Sequence, residues 1–294
     1  MSRHTVFTGC ATALITPFKK DFSVNYEAFE KLIDFQLDSG IKAFVVCGTT
    51  GEAATLSDEE QSELISCAIS RAKPRGAAVI AGAGSNSTSH AIKLSQRAAA
   101  LGADALLHVT PYYNKTTQRG LTEHFKAIAA AAELPVILYS VPSRTGLSIA
   151  PETYLELSRV ENIVAAKEAS GDFTLISRAM QLCGDNLDFY SGNDDHTVAL
   201  MSLGAKGLIS VLSNVKPAEA QRMCSLALEG DFKGAARLQL EFMPLITALF
   251  SEVNPIPVKD ACNLLGFEAG PCRLPLSEMN ERKRETLEGL LNVG

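Results

Sequence analysis

Short apolar segments alternate along this chain with longer segments that have helical periodicity. The apolar segments are rich in Val, Ile, Leu and Ala, and they recur at intervals of roughly 20 to 35 residues. They are apolar throughout instead of alternating with polar residues, which is typical of parallel strands covered on both faces. The pattern predicts eight strands, at residues 10–15, 43–47, 78–81, 105–109, 135–138, 163–167, 187–191 and 207–211.

Segments with helical periodicity lie between these strands. Ser57, Pro151 and Asp194 or Asp195 supply start signals for three of them. The predicted helices cover residues 25–39, 58–72, 89–101, 121–132, 151–159, 174–183 and 195–203. Eight strand–helix units in succession favour a closed barrel over an open sheet, so the predicted fold class is α/β, a (β/α)8 TIM barrel.

Only helical segments follow the eighth strand. They cover residues 217–228, 231–250, 256–265 and 276–291, and no Gly/Ser-rich linker precedes them. A chain without such a linker is expected to pack its tail on the barrel. We therefore predict a catalytic barrel over residues 1–216 and a C-terminal helical extension over residues 217–294.

Composition narrows the possible partners. The 294 residues include 27 Lys and Arg against 33 Asp and Glu, for a net charge of −6, and the basic residues are scattered. Nucleic acid and membrane surfaces are therefore not expected partners. The first residues lack an apolar signal segment, and no apolar run approaches the roughly 18 residues that span a bilayer. These features predict a cytoplasmic protein.

No metal, disulfide or nucleotide site is predicted. The seven cysteines have irregular spacing without a CxxC motif, which is typical of small buried apolar residues, and the histidines (His4, His90, His108, His124, His196) share no ligand spacing. The glycine-rich segment 82–87 resembles a dinucleotide loop but lacks the third glycine. The acidic run 58–60 is read as the first turn of a helix.

Candidate chemistry is sought where each strand ends, because active sites of barrels lie at the carboxyl ends of the strands. Lys167 closes the sixth apolar run, where an ammonium group is costly unless it is paired or neutral. One interpretation is a nucleophilic amine that forms a Schiff base with a carbonyl. The other is a structural lysine paired with Glu168 or another carboxylate, and position alone favours neither.

Four further residues at strand ends could serve such an amine. Tyr139 could carry protons, and Thr49 with Thr50, between two glycines, could receive a small carboxylate through hydroxyl and backbone N–H groups. Arg144 could grip a second carboxylate with its planar guanidinium group. Each of these residues also has a purely structural interpretation. Tyr139 would then be a core aromatic residue, the two threonines ordinary turn residues, and Arg144 a solvated surface arginine.

Eight segments distributed along the chain form a recognisable set: Gly9, 16–17 (TP), 48–52 (GTTGE), 110–114 (TPYYN), 139–146 (YSVPSRTG), 167–169 (KEA), 207–211 (GLISV) and 254–259 (NPIPVK). Taken together, these segments resemble the dihydrodipicolinate synthase family of the pyruvate-dependent class I aldolase superfamily. The resemblance covers almost the whole chain, and the double threonine, the Tyr-Tyr pair and the PSRTG loop separate it from the sialic acid lyases.

The resemblance implies a reaction and its catalytic residues. Lys167 would form the Schiff base with pyruvate, and Tyr139 would donate and accept protons. Thr49 would link Tyr139 to Tyr113, which in this family comes from the neighbouring subunit of a tight dimer. The reaction would belong to the diaminopimelate and lysine pathway, would need no metal or organic cofactor, and would be carried out by a homotetramer, a dimer of dimers.

The resemblance also implies how the substrates are held. Thr50, helped by the backbone carbonyl of Ile209, would bind the pyruvate carboxylate, and Arg144 would bind the carboxylate of L-aspartate 4-semialdehyde. Two alternatives stay open: another pyruvate-dependent aldolase, which cleaves a 2-keto sugar acid or N-acetylneuraminate, and a catalytically silent ligand-binding member of the fold.

The chain departs from lysine-inhibited members of the family at the effector site. Asp58, Gln61 and His90 replace the histidines and the acidic residue often found there, although Asn86 and Tyr112 remain. Since a cationic effector would gain little from His90, weak or absent inhibition by lysine is expected. Asn193 stands where Asp is commoner, with no predicted consequence.

Overall fold

A closed barrel of eight parallel strands forms the centre of the computed structural model, which describes residues 5–291. Each strand pairs with the next along the chain, and β8 pairs with β1. The predicted strands and the TIM-barrel fold are confirmed, with small shifts at the strand ends. The strands are β1 (Gly9–Ala13), β2 (Ala43–Val46), β3 (Ala78–Gly82), β4 (Ala105–Val109), β5 (Val136–Ser140), β6 (Ile163–Glu168), β7 (Asp188–Ser191) and β8 (Gly207–Ser210).

Helices surround the barrel and form the C-terminal part of the chain, as predicted. One short helix, α5, was not predicted, because its four residues lie in a loop that contains proline. The helices are α1 (Tyr26–Asp38), α2 (Asp58–Ala72), α3 (Thr88–Leu101), α4 (Gln118–Ala132), α5 (Pro142–Thr145), α6 (Pro151–Leu157), α7 (Phe173–Cys183), α8 (Thr197–Ser202), α9 (Pro217–Leu228), α10 (Phe232–Leu249), α11 (Ile256–Leu264) and α12 (Glu281–Leu291).

Two of the predicted helix starts are confirmed. The Ser57 hydroxyl accepts a hydrogen bond from the backbone N–H of Glu60, and the Glu60 carboxylate accepts one from the N–H of Ser57. This reciprocal cap satisfies N–H groups that the first turn of α2 leaves free. Pro151 occupies the first turn of α6, where its missing N–H costs nothing.

The start signal assigned to Asp194 or Asp195 is wrong. Residues 194–196 form a short 3-10 turn, α8 begins only at Thr197, and neither aspartate caps it. The carboxylate of Asp194 instead binds groups at the end of β8. The predicted start of the last helix at residue 276 is also wrong, because it is too early. Asn280 accepts a hydrogen bond from the N–H of Lys283, and α12 begins at Glu281.

The strands are buried on both faces, which explains their unbroken apolar sequences. One set of side chains fills the inside of the barrel and the other packs against the surrounding helices. A polar side chain that points into the barrel therefore loses its hydration. The inner set includes Ala11, Ala13, Ala43, Val45, Ile80, Ala105, Leu107, Ile137, Tyr139, Ala165, Tyr190 and Ile209.

The C-terminal helices pack on the barrel in two ways. Helix α9 lies against β1 and β8, where the Gln221 side chain accepts a hydrogen bond from the N–H of Cys10 at 2.9 Å. It thus occupies the place of the eighth outer helix of the barrel. Helices α10 to α12 share a separate apolar cluster with residues that follow β1 and β8, among them Ile15 and Val211. The predicted division between residues 216 and 217 stays a prediction.

The cysteines are free thiols. Cys67 and Cys272 are partly exposed, and the others are buried, in line with their interpretation as small apolar residues. Within residues 5–291 no helix is long and apolar enough to cross a membrane. His4 and the extreme termini used in the sequence analysis lie outside the described residues.

A buried ion pair ties the extension to the turn after β2. Lys259 Nζ, on α11, lies 2.8 Å from Glu52 Oε1, with side-chain exposures of 2% and 1%. Glu52 has a left-handed backbone (φ 54°), and its second oxygen accepts a hydrogen bond from the N–H of Arg273 at 2.9 Å. Lys259 also donates to the carbonyl of Pro271 at 2.6 Å. The pair therefore fixes three separate segments to one another.

Removal of one partner of this pair is predicted to be more harmful than removal of both. Lys259→Met leaves the Glu52 carboxylate buried without its counter-ion and is expected to lower the free energy of unfolding by about 3–5 kcal/mol. Adding Glu52→Gln removes the unpaired charge and should recover part of that loss. Urea denaturation followed by circular dichroism measures both, and a single variant as stable as the wild type would contradict the prediction.

Candidate active site

Lys167 lies at the carboxyl end of β6, inside the mouth of the barrel. It stands in register with Tyr139 on β5 and with Tyr190 on β7. Its side chain is 6% exposed, and Nζ lies 4.4 Å from the centre of the Tyr139 ring. A Cβ at Gly192 would approach Lys167 Cε to 3.0 Å, so the glycine after β7 gives the lysine stem its room.

Burial lowers the pKa of Lys167 to about 8. The negative charge of Asp194 opposes this shift, and the positive charge of Arg144 adds to it. With such a pKa, roughly one amine in ten is neutral at pH 7, against fewer than one in a thousand for an ordinary lysine. Lys167 is therefore able to act as a nucleophile near neutral pH.

The alternative in which Lys167 pairs with Glu168 is not what the structure contains. Successive residues of a strand point to opposite faces, and the Glu168 carboxylate faces α6. There it accepts hydrogen bonds from the Tyr154 hydroxyl at 2.5 Å and from the N–H of Ser170 at 3.2 Å. Burial raises the pKa of Glu168.

Asp194 is the carboxylate that acts on Lys167, and the sequence analysis missed it. It is buried and accepts hydrogen bonds from the Ser210 hydroxyl at 2.5 Å and from the N–H groups of Val211 and Leu212 at 3.0 and 3.2 Å. Burial raises the pKa of Asp194, while these donors and Lys167 lower it. Asp194 therefore joins the ends of β7 and β8 and places an acceptor group near the amine.

Tyr139 and Thr49 are brought together, as predicted. Burial raises the pKa of Tyr139, while the charge of Arg144 and a hydrogen bond with the Thr49 side chain lower it. The phenol is therefore protonated at neutral pH. Thr49 and Tyr139 line the same cavity, and a phenol beside an amine can pass protons to it and from it.

Thr50 is buried, and its Oγ1 accepts a hydrogen bond from Asn254 Nδ2 at 3.0 Å. The expectation that the turn also offers its backbone N–H groups is only partly met. The N–H groups of Gly51 and Glu52 are used within the turn, by the carbonyls of Gly48 and Thr49. These two N–H groups are therefore not available to a ligand.

Arg144 lies on α5 with an exposed side chain that reaches the mouth of the barrel. Its Nη2 donates to the backbone carbonyl of Asn254 at 3.2 Å. This single bond leaves other guanidinium N–H groups free for a ligand. Asn254 belongs to the segment 254–259 that carries the family resemblance, for which the sequence predicts no role.

A cavity of about 470 Å³ lies beside these groups, although Lys167 and Thr50 are not among its lining residues. Thr49, Tyr139, Arg144 and Asn254 line it, and it continues along the turn after β2 toward α2 and α3. A volume of this size accommodates small-molecule substrates. Within residues 5–291 no group of three or more His, Cys, Asp or Glu side chains is placed to hold a metal ion. The expectation that the reaction needs no cofactor stays a prediction.

The glycine-rich segment after β3 also borders this cavity. A Cβ at Gly82 would lie 2.1 Å from the carbonyl oxygen of Cys47, and one at Gly84 would lie 2.7 Å from the backbone nitrogen of Val109. These glycines therefore permit close packing of neighbouring strand ends. Their resemblance to a nucleotide loop has this simpler cause.

Four of the predicted site residues do not line the cavity: Lys167, Thr50, Ile209 and Tyr113. Lys167 and Thr50 are buried beside residues that do line it, since Lys167 contacts the ring of Tyr139 and Thr50 is hydrogen-bonded to Asn254. Ile209 is buried in β8, opposite Ala11 of β1. Tyr113 is 95% exposed, has a left-handed backbone (φ 68°) and does not line the cavity of its own chain. The contribution of Tyr113 from a neighbouring subunit stays a prediction.

The three effector-site positions, Asp58, Gln61 and His90, line the same cavity at the end next to α2 and α3. His90 Nε2 lies 2.9 Å and Arg97 Nη1 lies 3.1 Å from the Asp58 carboxylate, while Gln61 donates to the carbonyl of Ala53. The carboxylate of Asp58 is thus already engaged by cationic or donor groups of the chain itself. The response to lysine stays a prediction. The Asn193 side chain contacts His196.

Comparisons with known proteins agree with this arrangement. The model of the dihydrodipicolinate synthetase family matches residues 6–293. The chain is 53% identical over 286 residues to a 4-hydroxy-tetrahydrodipicolinate synthase of Caldicellulosiruptor saccharolyticus, covering 97% of this chain and 96% of that one.

Solved structures are similar over the same length. A dihydrodipicolinate synthase of Aquifex aeolicus superposes with a TM-score of 0.94 at 46% identity, covering 97% of each chain. A chloride-inhibited dihydrodipicolinate synthase of Acinetobacter baumannii, complexed with pyruvate, superposes with a TM-score of 0.95 at 43% identity, covering 97% of this chain and 98% of that one.

The pKa of Lys167 can be measured by reductive methylation with formaldehyde and cyanoborohydride, read by peptide mass spectrometry across pH. Only the neutral amine reacts, so the rate at Lys167 should rise with pH and reach half its maximum near pH 8. Asp194→Asn removes the charge that favours the ammonium form and should move that midpoint downward. A midpoint above pH 10 in the wild type would contradict the proposed environment.

Proposed function

The chain belongs to the dihydrodipicolinate synthetase family, and we propose that it condenses pyruvate with L-aspartate 4-semialdehyde through a Schiff base on Lys167. The observation that carries this proposal is a buried lysine with a pKa lowered to about 8, in contact with the ring of Tyr139. The relatives named as 4-hydroxy-tetrahydrodipicolinate synthase and the neighbour complexed with pyruvate support the choice of substrates.

The first step joins pyruvate to Lys167. The neutral amine attacks the C2 carbonyl, the oxygen takes up a proton, and loss of water from the carbinolamine gives the imine. We assign the donation and acceptance of these protons to Tyr139, whose hydroxyl keeps its proton at neutral pH. The imine draws electrons from the neighbouring methyl group, which then loses a proton to give the enamine.

The second step forms the carbon–carbon bond. The enamine carbon attacks the aldehyde carbon of the semialdehyde, and the aldehyde oxygen takes up a proton to become a hydroxyl group. The amino group of the same substrate then attacks the imine carbon, closes the ring and displaces Lys167 as a free amine. Holding both reactants at one strand edge supplies the proximity that this sequence needs.

We assign the substrate carboxylates to two groups. The Thr50 hydroxyl donates to the carboxylate of pyruvate, and the Arg144 guanidinium binds the carboxylate of the semialdehyde. Both groups are hydrogen-bonded to Asn254. Donors fixed in advance favour binding, because little order is lost when the ligand arrives. The help expected from the backbone carbonyl of Ile209 stays a prediction, because Ile209 does not line the cavity.

The proton route is proposed to extend to a second subunit. Tyr139 contacts Thr49, and Tyr113 of the partner subunit would continue the chain of hydroxyl groups. The near-complete exposure of Tyr113 supports a role outside its own chain. We propose a tight dimer for this reason, and the homotetramer and a cytoplasmic location follow from the family resemblance.

Two alternative functions receive less support. An aldolase for 2-keto sugar acids would need hydroxyl-binding groups where Arg144 presents a cation. A silent ligand-binding protein would not need an amine with a lowered pKa beside a phenol. The pyruvate-dependent condensation uses both features.

Lys167→Ala is predicted to lower turnover by a factor of about 10³ or more, because the covalent step is lost. Borohydride reduction in the presence of pyruvate should add the mass of the reduced adduct to the wild type and not to this variant. Lys259, the other buried lysine, is an internal control, since it remains in both proteins. Full activity in the variant would overturn the assignment of the nucleophile.

Arg144→Ala is predicted to separate the two substrates. The KM for the semialdehyde should rise about tenfold or more, since a charge-assisted hydrogen bond is lost. Formation of the pyruvate imine should change less than about threefold at pH 9, where the effect of Arg144 on the Lys167 pKa matters little. Arg178→Ala, which removes an exposed arginine paired with Glu152, is the control. Equal loss of both steps would contradict the assigned role.

A further inference from the structure

Two segments that carry the family resemblance meet beside the cavity, and the mechanism above leaves part of each without a role. The turn after β2, residues 48–52, and the segment at the start of α11, residues 254–259, are joined twice. Asn254 Nδ2 donates to Thr50 Oγ1 at 3.0 Å, and Lys259 Nζ donates to Glu52 Oε1 at 2.8 Å. The ion pair fixes the distance between the segments, so the Asn254 amide is held against Thr50.

Asn254 has an unusual set of contacts. It is 6% exposed and lines the cavity, and its backbone carbonyl accepts the bond from Arg144 Nη2. Its side-chain Oδ1 is buried and has no hydrogen-bond partner in the part of the chain that the structure describes. An unsatisfied buried acceptor is destabilising, and such a group in a native structure calls for an explanation other than stability.

The orientation of the Asn254 amide has a functional explanation. It leaves Oδ1 unsatisfied but turns Nδ2, a donor, toward the Thr50 hydroxyl. A threonine hydroxyl has one hydrogen to donate. Because Thr50 Oγ1 accepts from the Asn254 amide, its hydrogen is free to point elsewhere. A carboxylate can only accept hydrogen bonds, so it needs that hydrogen. An amide oxygen in the place of Nδ2 would take the hydrogen for itself.

We propose that Asn254 is a positioning residue that directs the hydroxyl hydrogen of Thr50 toward the carboxylate of pyruvate. The inference rests on the proposed function, since it takes Thr50 as the group that binds pyruvate. Arg144 is held by the backbone of Asn254, so a change of the side chain acts on the pyruvate side of the site and spares the semialdehyde side. This separation makes the proposal testable.

The experiment measures the KM for each substrate in Asn254→Ala and Asn254→Asp. The alanine variant should raise the pyruvate KM about fivefold, the worth of one oriented hydrogen bond, and should leave the semialdehyde KM within about twofold. The aspartate variant should raise the pyruvate KM further, by about tenfold or more, because its carboxylate accepts the Thr50 hydrogen and repels a second carboxylate.

A merely structural role predicts the opposite order. Aspartate has nearly the size and shape of asparagine, so a packing defect would be smaller in Asn254→Asp than in Asn254→Ala. A pyruvate KM that is closer to wild type in the aspartate variant would therefore overturn the proposal. An equal rise of both KM values in the alanine variant would overturn it too.

A double-mutant cycle tests the route through Thr50. In a Thr50→Val background, Asn254→Ala should change the pyruvate KM less than about twofold, because the hydroxyl that it orients is gone. Independent, multiplying effects would overturn the proposal. Asn263→Ala is the matched control: Asn263 makes two hydrogen bonds to Gly270 in the extension, and its loss should leave both KM values unchanged.

Failure of the proposed function gives a different result. In that case the wild type itself would not gain the mass of pyruvate on borohydride reduction. A wild type that does so, together with a reversed order of the variants, would overturn only the role of Asn254. If Asn254→Ala does not fold, Asn254→Ser, whose side chain is too short to reach Thr50, is measured with the same expected outcome.

Discussion

The removal of one lysine from water is the constraint on which the rest of this structure depends. An ammonium group at the mouth of the barrel loses its hydration, and the pKa of Lys167 falls to about 8. Closure of the barrel creates this environment, because the strands on either side supply Tyr139 and Tyr190 as neighbours. The negative charge of Asp194 limits the fall of the Lys167 pKa. The side chain can therefore both lose and take up a proton near neutral pH.

The C-terminal extension completes the site that the barrel begins. Its ion pair with Glu52 and its amide contact with Thr50 hold the turn after β2, and its backbone holds Arg144. The barrel thus supplies the proposed nucleophile and the proposed proton donor, whereas the extension fixes the groups proposed to bind the substrates. A tail attached by a loose linker could not keep donors at fixed positions, and its close packing on the barrel is therefore part of the function proposed here.

The sequence predicts what depends on local pattern. Unbroken apolar runs identify the strands, and a lysine at the end of one run stands out because burial makes it costly. Contacts across the chain leave no such signal: Asn254 and Thr50 are separated by 204 positions, and neither periodicity nor spacing links them. Asp194 was mistaken for a helix start because an aspartate before a helical segment is normally a cap, while here β8 offers it better donors. The role proposed for Tyr113 depends on a second chain, which one sequence does not describe.

The most direct test of the central claim is a crystal structure of the protein after borohydride reduction with pyruvate. The account predicts a covalent adduct on Lys167 Nζ, with its carboxylate at the Thr50 hydroxyl and the Tyr139 phenol beside the new bond. An adduct on another lysine, or a carboxylate turned away from Thr50, would contradict it.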